Sequence, residues 1–328
     1  MGTQKVRRIA AVLLFGFSSG IPLGMTGSML QAWLVDQKVD LAVIGLFSLV
    51  GLPYTLKFLW SPLMDRYVPP VLGRRRGWIL ITQLLLVLFI LALGFSHPSV
   101  SPQLTAALAV AVAFFSASQD IVIDAYRTDV LDESERGPGA SFHIFGYRMA
   151  MLVSGSIALI LADHLSWPTV YSIMAAAMGV GILTTFFAPE PAVPAQAPRT
   201  LADAVVLPFV EFFKRRGAYE ILAFIFIYKL DAVIALALMT PFMLQLGFTK
   251  TDIGAVTKGF GLVATLVGTF IGGLGMVRLG MLRSLWVFGL AQGLSGLSFA
   301  MLAQVGHNSP YSYLVMVTAI TVENVCSG

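Results

Sequence analysis

With 328 residues, 57% hydrophobic and only 12% charged, and a mean hydropathy of +0.83, the chain lies far from water-soluble domains, in which about 25% of residues are charged. The 21 Lys and Arg outnumber the 17 acids, but they form no basic patch with interleaved aromatics. Nucleic acid is therefore excluded as a partner, and basic loops at a membrane surface account for the surplus. One cysteine, Cys326, excludes an internal disulfide and a Cys-based zinc site, and His97, His143, His164 and His307 have no metal-ligand spacing.

Lys5, Arg7 and Arg8 ahead of an apolar run mimic a secretory signal, but the run from Ile9 to Trp33 is too long for one and similar segments follow it. A helix needs about 20 apolar residues to cross roughly 30 Å of hydrocarbon. Such stretches recur at about 9–34, 41–61, 78–95, 103–124, 142–162, 168–188, 219–244, 251–275, 284–303 and 311–328, which predicts about ten spans. The runs are continuous rather than alternating, so the fold class is all-α, a polytopic membrane helix bundle, and not a barrel. The lipid bilayer is the first partner this implies.

In the first span, Gly16, Gly20, Pro22, Gly24 and Gly27 permit close helix packing or a kink, with packing the default. Gln31 and Trp33 at its outer end either meet solute or belong to the interfacial aromatic belt. The second span ends with Tyr54, Lys57 and Ser61 at helical spacing, so a hydroxyl and an ammonium share a face; Lys57 either contacts solute or snorkels to the interface. The fourth span carries a polar stripe, Ser116, Gln119, Asp120 and Asp124, with Arg127 following. For Asp124 and Arg127 the expectation is a structural pair near the inner mouth, and for Gln119 and Asp120 a place on a cavity. Arg148, after Tyr147 in the fifth span, suits an anionic solute or pins the loop of Asp132, Glu133 and Glu135.

Pro189, Pro191, Pro194 and Pro198 then form a polyproline-like spacer. The boundaries follow: a six-helix bundle over 1–188, a cytoplasmic linker over 189–218, and a partial bundle of about four helices over 219–328. Thr200 and Asp203 cap an amphipathic helix running to Arg216, with Leu201, Val205, Phe209, Phe212 and Phe213 toward one face, laid on the inner surface. In the seventh span Lys229 and Asp231 are two residues apart and face different ways, so each needs another helix, for which Lys258 and Glu323 are candidates. The chain ends at Gly328 inside an apolar segment, and a chain truncated within a second six-helix half, with a longer reading frame beyond, is expected.

Lys5, Arg7, Arg8, Arg66, Arg74, Arg75, Arg76, Arg127, Arg136, Arg199, Lys214, Arg215, Arg216, Arg278 and Arg283 all fall on one side of such a topology, against Lys38 and Lys250 on the other. That asymmetry predicts a cytoplasmic N-terminus. Eight ionisable residues lie inside predicted spans: Lys57, Asp120, Asp124, Arg148, Lys229, Asp231, Lys258 and Glu323. At about 2.5–3.5 kcal/mol each near a helix centre, they must face a wet cavity or one another, and Asp120, Asp124, Asp231 and Glu323 are candidates for carrying a coupling proton. Similar depths of Gln119-Asp120 and Glu323-Asn324, and basic turns after the second and eighth spans, suggest two repeated halves.

Three strings carry a resemblance: Leu52-Pro53-Tyr54-Thr55-Leu56-Lys57-Phe58-Leu59-Trp60-Ser61-Pro62-Leu63-Met64-Asp65-Arg66, then Gly73-Arg74-Arg75-Arg76-Gly77-Trp78, and Ser118-Gln119-Asp120-Ile121-Val122-Ile123-Asp124-Ala125-Tyr126-Arg127-Thr128-Asp129. With the Glu323-Asn324 segment, the chain resembles the AmpG-type muropeptide permeases of the major facilitator superfamily. The resemblance implies two six-helix bundles around a central cavity, alternating access, and a conformational loop of Asp65, Arg66, Arg74, Arg75 and Arg76 that latches the halves. It also implies proton-driven import of N-acetylglucosaminyl-1,6-anhydro-N-acetylmuramyl peptides across a bacterial inner membrane, without a cofactor, feeding wall recycling and β-lactamase induction and hence antibiotic resistance. Acetyl-coenzyme A transporters share part of the pattern, which leaves another anionic solute as the alternative, and an inactive fragment as a third reading.

A disaccharide with an anionic peptide wants hydroxyl, amide and cationic partners. Tyr54, Lys57, Gln119, Asp120, Arg148, Lys229, Lys258 and Asn324 are accordingly the candidate substrate residues, in a monomer. No GxxxxGK phosphate loop, HExxH or cluster of His is present, so ATP hydrolysis and a catalytic centre are not expected, and the chain is read as no enzyme.

Overall fold

The computed structural model describes residues 2–191, 201–248, 252, 256–306 and 309–327. Pro194, Pro198, Arg199 and Lys250 lie outside the described residues, as do some side chains within the helices, among them those of Lys229, Asp231 and Lys258. Among the described residues every regular element is helical. That is what uninterrupted apolar sequence requires in hydrocarbon, where a helix satisfies its own backbone.

The first compact unit is Met1–Pro208. Its α1 (Gly2–Thr26) and α2 (Ser28–Asp36) together fill the first predicted span, parted at Gly27. The stretch predicted as one helix over 41–61 is instead α3 (Leu41–Leu46), a 3₁₀ turn (Phe47–Gly51), α4 (Leu52–Leu56), a second 3₁₀ turn (Lys57–Leu59) and α5 (Ser61–Arg66). Pro53 and Pro62 sit in the first turns of α4 and α5, where a missing N–H is tolerated, and each proline bars the preceding residues from a continuous helical ladder. The remaining helices are α6 (Arg74–Gly94), α7 (Pro102–Val130), α8 (Arg136–Met151), α9 (Ala158–Ala162), α10 (Trp167–Ala177) and α11 (Gly179–Phe187), with a π turn (Leu152–Ile157) joining α8 to α9. The fourth span thus continues to Val130 instead of ending near 124.

The second compact unit is Phe209–Gly328. Helix α12 (Leu201–Lys214) straddles the division, followed by α13 (Ala218–Gln245), a π turn (Val256–Gly261), α14 (Leu262–Leu279), α15 (Met281–Val305) and α16 (Ser312–Ser327). On α12, Phe209, Val210 and Phe213 are exposed and Phe212 is half-buried, while Thr200 and the side chains of Leu201, Asp203 and Val205 lie outside the described residues. Among the described residues, seven helical stretches are long and apolar enough to cross a membrane, and three shorter apolar ones, Val43–Leu59, Ala218–Ile227 and Ser312–Ser327, match the other predicted spans.

The first unit is built on contact between α1 and α8. Gly16, Gly20 and Gly24 lie one turn apart on α1, and a Cβ on them would collide with the backbone of His143, with Tyr147 and Ala150, and with Ser154. Gly146 answers from α8, where a Cβ would lie 2.9 Å from the Phe17 nitrogen. Small residues bring the two backbones together where lipid offers no hydrophobic drive. Two apolar clusters flank this contact. Ile21, Met25, Leu86, Ile90 and Met174 belong to the one nearer α2, and Val12, Phe15, Ile79, Ile123 and Tyr126 to the one nearer the N-terminus.

A bulky side chain at Gly20 has only backbone and Ala150 to displace. Gly20→Leu should lower stability by at least about 1–3 kcal/mol, the usual penalty of overpacking. Thermal unfolding of the detergent-purified variant, compared with Gly179→Ala where a Cβ meets nothing within 4 Å, checks this. Equal midpoints would show that the α1–α8 contact is dispensable.

Candidate functional site

Between the two apolar clusters of the first unit lies a layer of polar side chains. Half of it is closed on itself. Thr185 donates to Gln83 Oε1 (3.0 Å), Gln83 Nε2 reaches Ser18 Oγ (3.5 Å), and Ser18 donates to the Phe15 carbonyl (3.0 Å). Gly181 makes room, since a Cβ there would lie 2.5 Å from Gln83 Nε2. These bonds tie α1, α6 and α11 together and leave little over for a ligand.

The other half is open. Gln119 is fully buried, and neither its Oε1 nor its Nε2 has a partner. Ser116 Oγ, one turn before it, and Tyr54 Oη of α4 are also buried and make no hydrogen bond of good geometry, although Tyr54 lies within reach of Ser116 and Thr26. Asp120 accepts a hydrogen bond from Ser19 Oγ of α1 and lies within the electrostatic reach of Lys57 and Asp124. Tyr147 of α8 also faces the Asp120 charge. Buried polar atoms in native folds are almost always satisfied, and four without a hydrogen bond of good geometry in one patch make it the candidate site. The patch offers an amide, two hydroxyls, a carboxylate and an ammonium, a set that suits a polyhydroxylated and charged molecule.

Toward the N-terminal end the charges change function. Asp124 pairs with Arg127 one turn on (3.3 Å), as expected of a structural pair, and both remain partly exposed. Beside them His143 of α8 has a buried, unpaired Nδ1. Arg75 bridges Asp65 (2.8 Å) and Asp129 (2.7 Å), joining α5, α6 and α7. Glu190 accepts from the backbone N–H groups of Arg75 and Arg76 at the start of α6 (3.2 and 3.3 Å), where the helix dipole favours an anion. Arg76 donates to the Thr185 and Phe186 carbonyls, and the Arg66 guanidinium lies 5.6 Å over the Tyr67 ring. Arg74 opens α6 and has interactions of its own. The loop predicted to serve conformational change is therefore latched inside the first unit by Asp129 and Glu190, two residues that sequence reasoning does not single out.

Two expectations are corrected here. The loop of Asp132 and Glu135 is pinned not by Arg148 but by Arg8, which reaches both carboxylates (2.6 and 2.9 Å). Tyr54, Lys57 and Ser61 do not share one helical face, because the 3₁₀ turn at Lys57 breaks the period and Ser61 turns back to the Phe58 carbonyl. Arg148 stays half-buried on α8 near Tyr147.

In the second unit Glu323 is buried and accepts from Gln292 Nε2 (2.7 Å) and Ser295 Oγ (2.5 Å), both on α15. Asn324 accepts from Thr265 Oγ1 of α14 (3.0 Å), and Gly261 packs against its amide. The side chains of Lys229, Asp231 and Lys258, the neighbours expected for Glu323, lie outside the described residues. Sequence reasoning misses Gln292, Ser295 and Ser19, whose signal is a lone polar residue inside an apolar run.

The sequence profile of the Major Facilitator Superfamily matches residues 12–326. The chain is 48% identical over 323 residues to the anhydromuropeptide permease of Escherichia coli K12, covering 98% of this chain but 65% of that one, so it spans about two thirds of that relative's length. It is 34% identical to putative transporter AmpG 4 of Rickettsia felis, covering 97% and 78% of the two chains. A proton:xylose symporter, XylE, bound to 6-bromo-6-deoxy-D-glucose superposes with a TM-score of 0.64 over 98% of this chain and 80% of its own, at 13% identity, a likeness of fold.

The paired and unpaired glutamines should respond differently to the same change. Gln83→Leu removes two side-chain bonds, leaving the Ser18 and Thr185 hydroxyls only their backbone carbonyls, and should destabilise by about 1–3 kcal/mol, whereas Gln119→Leu removes a group without such bonds and should leave stability equal or higher. Unfolding midpoints in detergent decide this, and matching losses in the two variants would make Gln119 a structural residue.

Proposed function

Because the chain belongs to the Major Facilitator Superfamily, in its AmpG-type group, we propose that it is a proton-driven secondary transporter importing anhydromuropeptides from periplasm to cytoplasm for cell-wall recycling. The observation that carries this reading is the patch of buried, unpaired Tyr54, Ser116 and Gln119 around Asp120 in a membrane bundle. Its support from relatives is a permease named for anhydromuropeptides at 48% identity.

In this reading Tyr54, Gln119 and Asn324 meet sugar and amide groups, and Lys57, Arg148, Lys229 and Lys258 meet peptide carboxylates. Asp120 takes part in both solute contact and proton coupling. Asp120, Asp124, Asp231 and Glu323 are the coupling candidates, since ionisable groups inside spans are costly and are where proton relays are built. The network of Asp65, Arg75, Asp129 and Glu190 opens and closes the N-terminal end as the chain changes state. The N-terminus lies in the cytoplasm of an inner-membrane protein, as the basic loops predict. Carriage needs no chemistry on the solute, and no cofactor beyond the proton gradient enters the reading.

Uptake of radiolabelled anhydromuropeptide into energised vesicles is the test. The wild-type chain should accumulate label and lose it with an uncoupler, and Asp120→Asn should lower the rate by about tenfold or more, a loss of ~1.4 kcal/mol in the limiting step. Glu323→Gln should blunt the dependence on external pH more than it lowers binding. Normal uptake and pH dependence in Asp120→Asn would overturn its role, and acetyl-coenzyme A displacing the label better than muropeptide would transfer the site to the alternative solute.

A further inference from the structure

Apart from the polar layer, a cavity of about 290 Å³ lies between α1 and α11 at the end of the first unit that carries the N-terminus. Its walls follow helical spacing on both sides. Arg7, Ala10, Ala11 and Leu14 line it from α1, and Leu183 and Phe187 from α11. Residues at i, i+3, i+4 and i+7 form one face of a helix, and two alanines in the middle of that face hollow it out. Thr184, also in the wall, turns its hydroxyl back to the Val180 carbonyl (2.7 Å) and presents its methyl group instead. From Arg7 to Leu14 the groove runs about 10 Å along the helix axis.

The groove opens outward. Leu14, Leu183 and Phe187 are 38%, 61% and 69% exposed, and both helices belong to stretches long and apolar enough to cross a membrane, so hydrocarbon and not water surrounds this wall. At its mouth stands Arg7, the cation among the lining residues. Arg7 Nε donates to the Phe187 carbonyl (2.6 Å), which fixes the guanidinium over the end of the groove and leaves its outer nitrogens for an acceptor. The acids nearby are already engaged. Asp129 is held by Arg75, Asp132 by Arg8, and Glu190 by the backbone of α6.

We propose that this groove is a site for an anionic phospholipid, one acyl chain lying between α1 and α11 and the headgroup phosphate on Arg7. An acyl chain fills an apolar cleft at membrane depth, and a forked guanidinium at its polar end selects a net negative headgroup over a zwitterionic one. The site is separate from the polar layer around Asp120 and holds whether or not the transported solute is a muropeptide.

Native mass spectrometry of the detergent-purified chain with phosphatidylglycerol and phosphatidylethanolamine of matched acyl chains tests the proposal. Phosphatidylglycerol should be retained about fivefold better, the worth of one basic side chain near an anionic surface. Arg7→Gln should abolish that preference, and Ala10→Phe, which fills the cleft from an exposed position, should lower retention of both lipids; a monodisperse elution profile establishes that each variant is folded. Equal retention of the two lipids by the wild type, a preference that survives Arg7→Gln, or indifference to Ala10→Phe would overturn it. So would displacement of the lipid by soluble glycerol phosphate, which would make the site one for free phosphate.

Discussion

A polar atom in hydrocarbon must find a partner, and this constraint governs where every side chain of interest in the chain is found. The bundle meets it in two ways. Ser18, Gln83 and Thr185 satisfy one another, and the charged groups at the N-terminal end are bridged by Arg8 and Arg75. The amide of Gln119 and the hydroxyls of Ser116 and Tyr54 are buried without such ties, which is why they are the groups proposed to meet solute.

The same constraint explains the position of the proposed solute site. Apolar clusters lie on both sides of the polar layer, so a solute reaching Asp120 is held at a depth where the surroundings strengthen each hydrogen bond it makes. Glycines bring α1 close to α8, and from the same stretch of α1 Ser19 reaches Asp120 of α7. In the second unit a comparable carboxylate, Glu323, is held by two neutral donors of α15. Each unit by itself therefore bonds a carboxylate inside a span to an uncharged side chain.

Much of this is legible in the sequence. Apolar run length gives the helices, because crossing hydrocarbon fixes the number of residues a helix needs, and the rarity of charge in such runs singles out Asp120 and Glu323. Hydropathy misreads segment 41–61 because it counts Pro53 and Pro62 as ordinary members of an apolar run while their rings divide it. Partner choice is not legible either. Arg8 lies more than a hundred residues from Asp132 and Glu135, and no local spacing reveals that it, and not Arg148, reaches them. Glu190 stands at the head of a proline-rich stretch, where nothing in its neighbours signals the helix start it caps.

The division of the polar layer into a bonded half and an unbonded half bears on how such a chain can diversify. On the proposed role of Tyr54, Ser116 and Gln119, exchanges there leave the bonds among Ser18, Gln83 and Thr185 untouched, so the repertoire of accepted molecules can drift while the scaffold of α1, α6 and α11 stays intact. Selectivity and architecture are in this way inherited through different residues, and new cargo need not be learned at the expense of the frame.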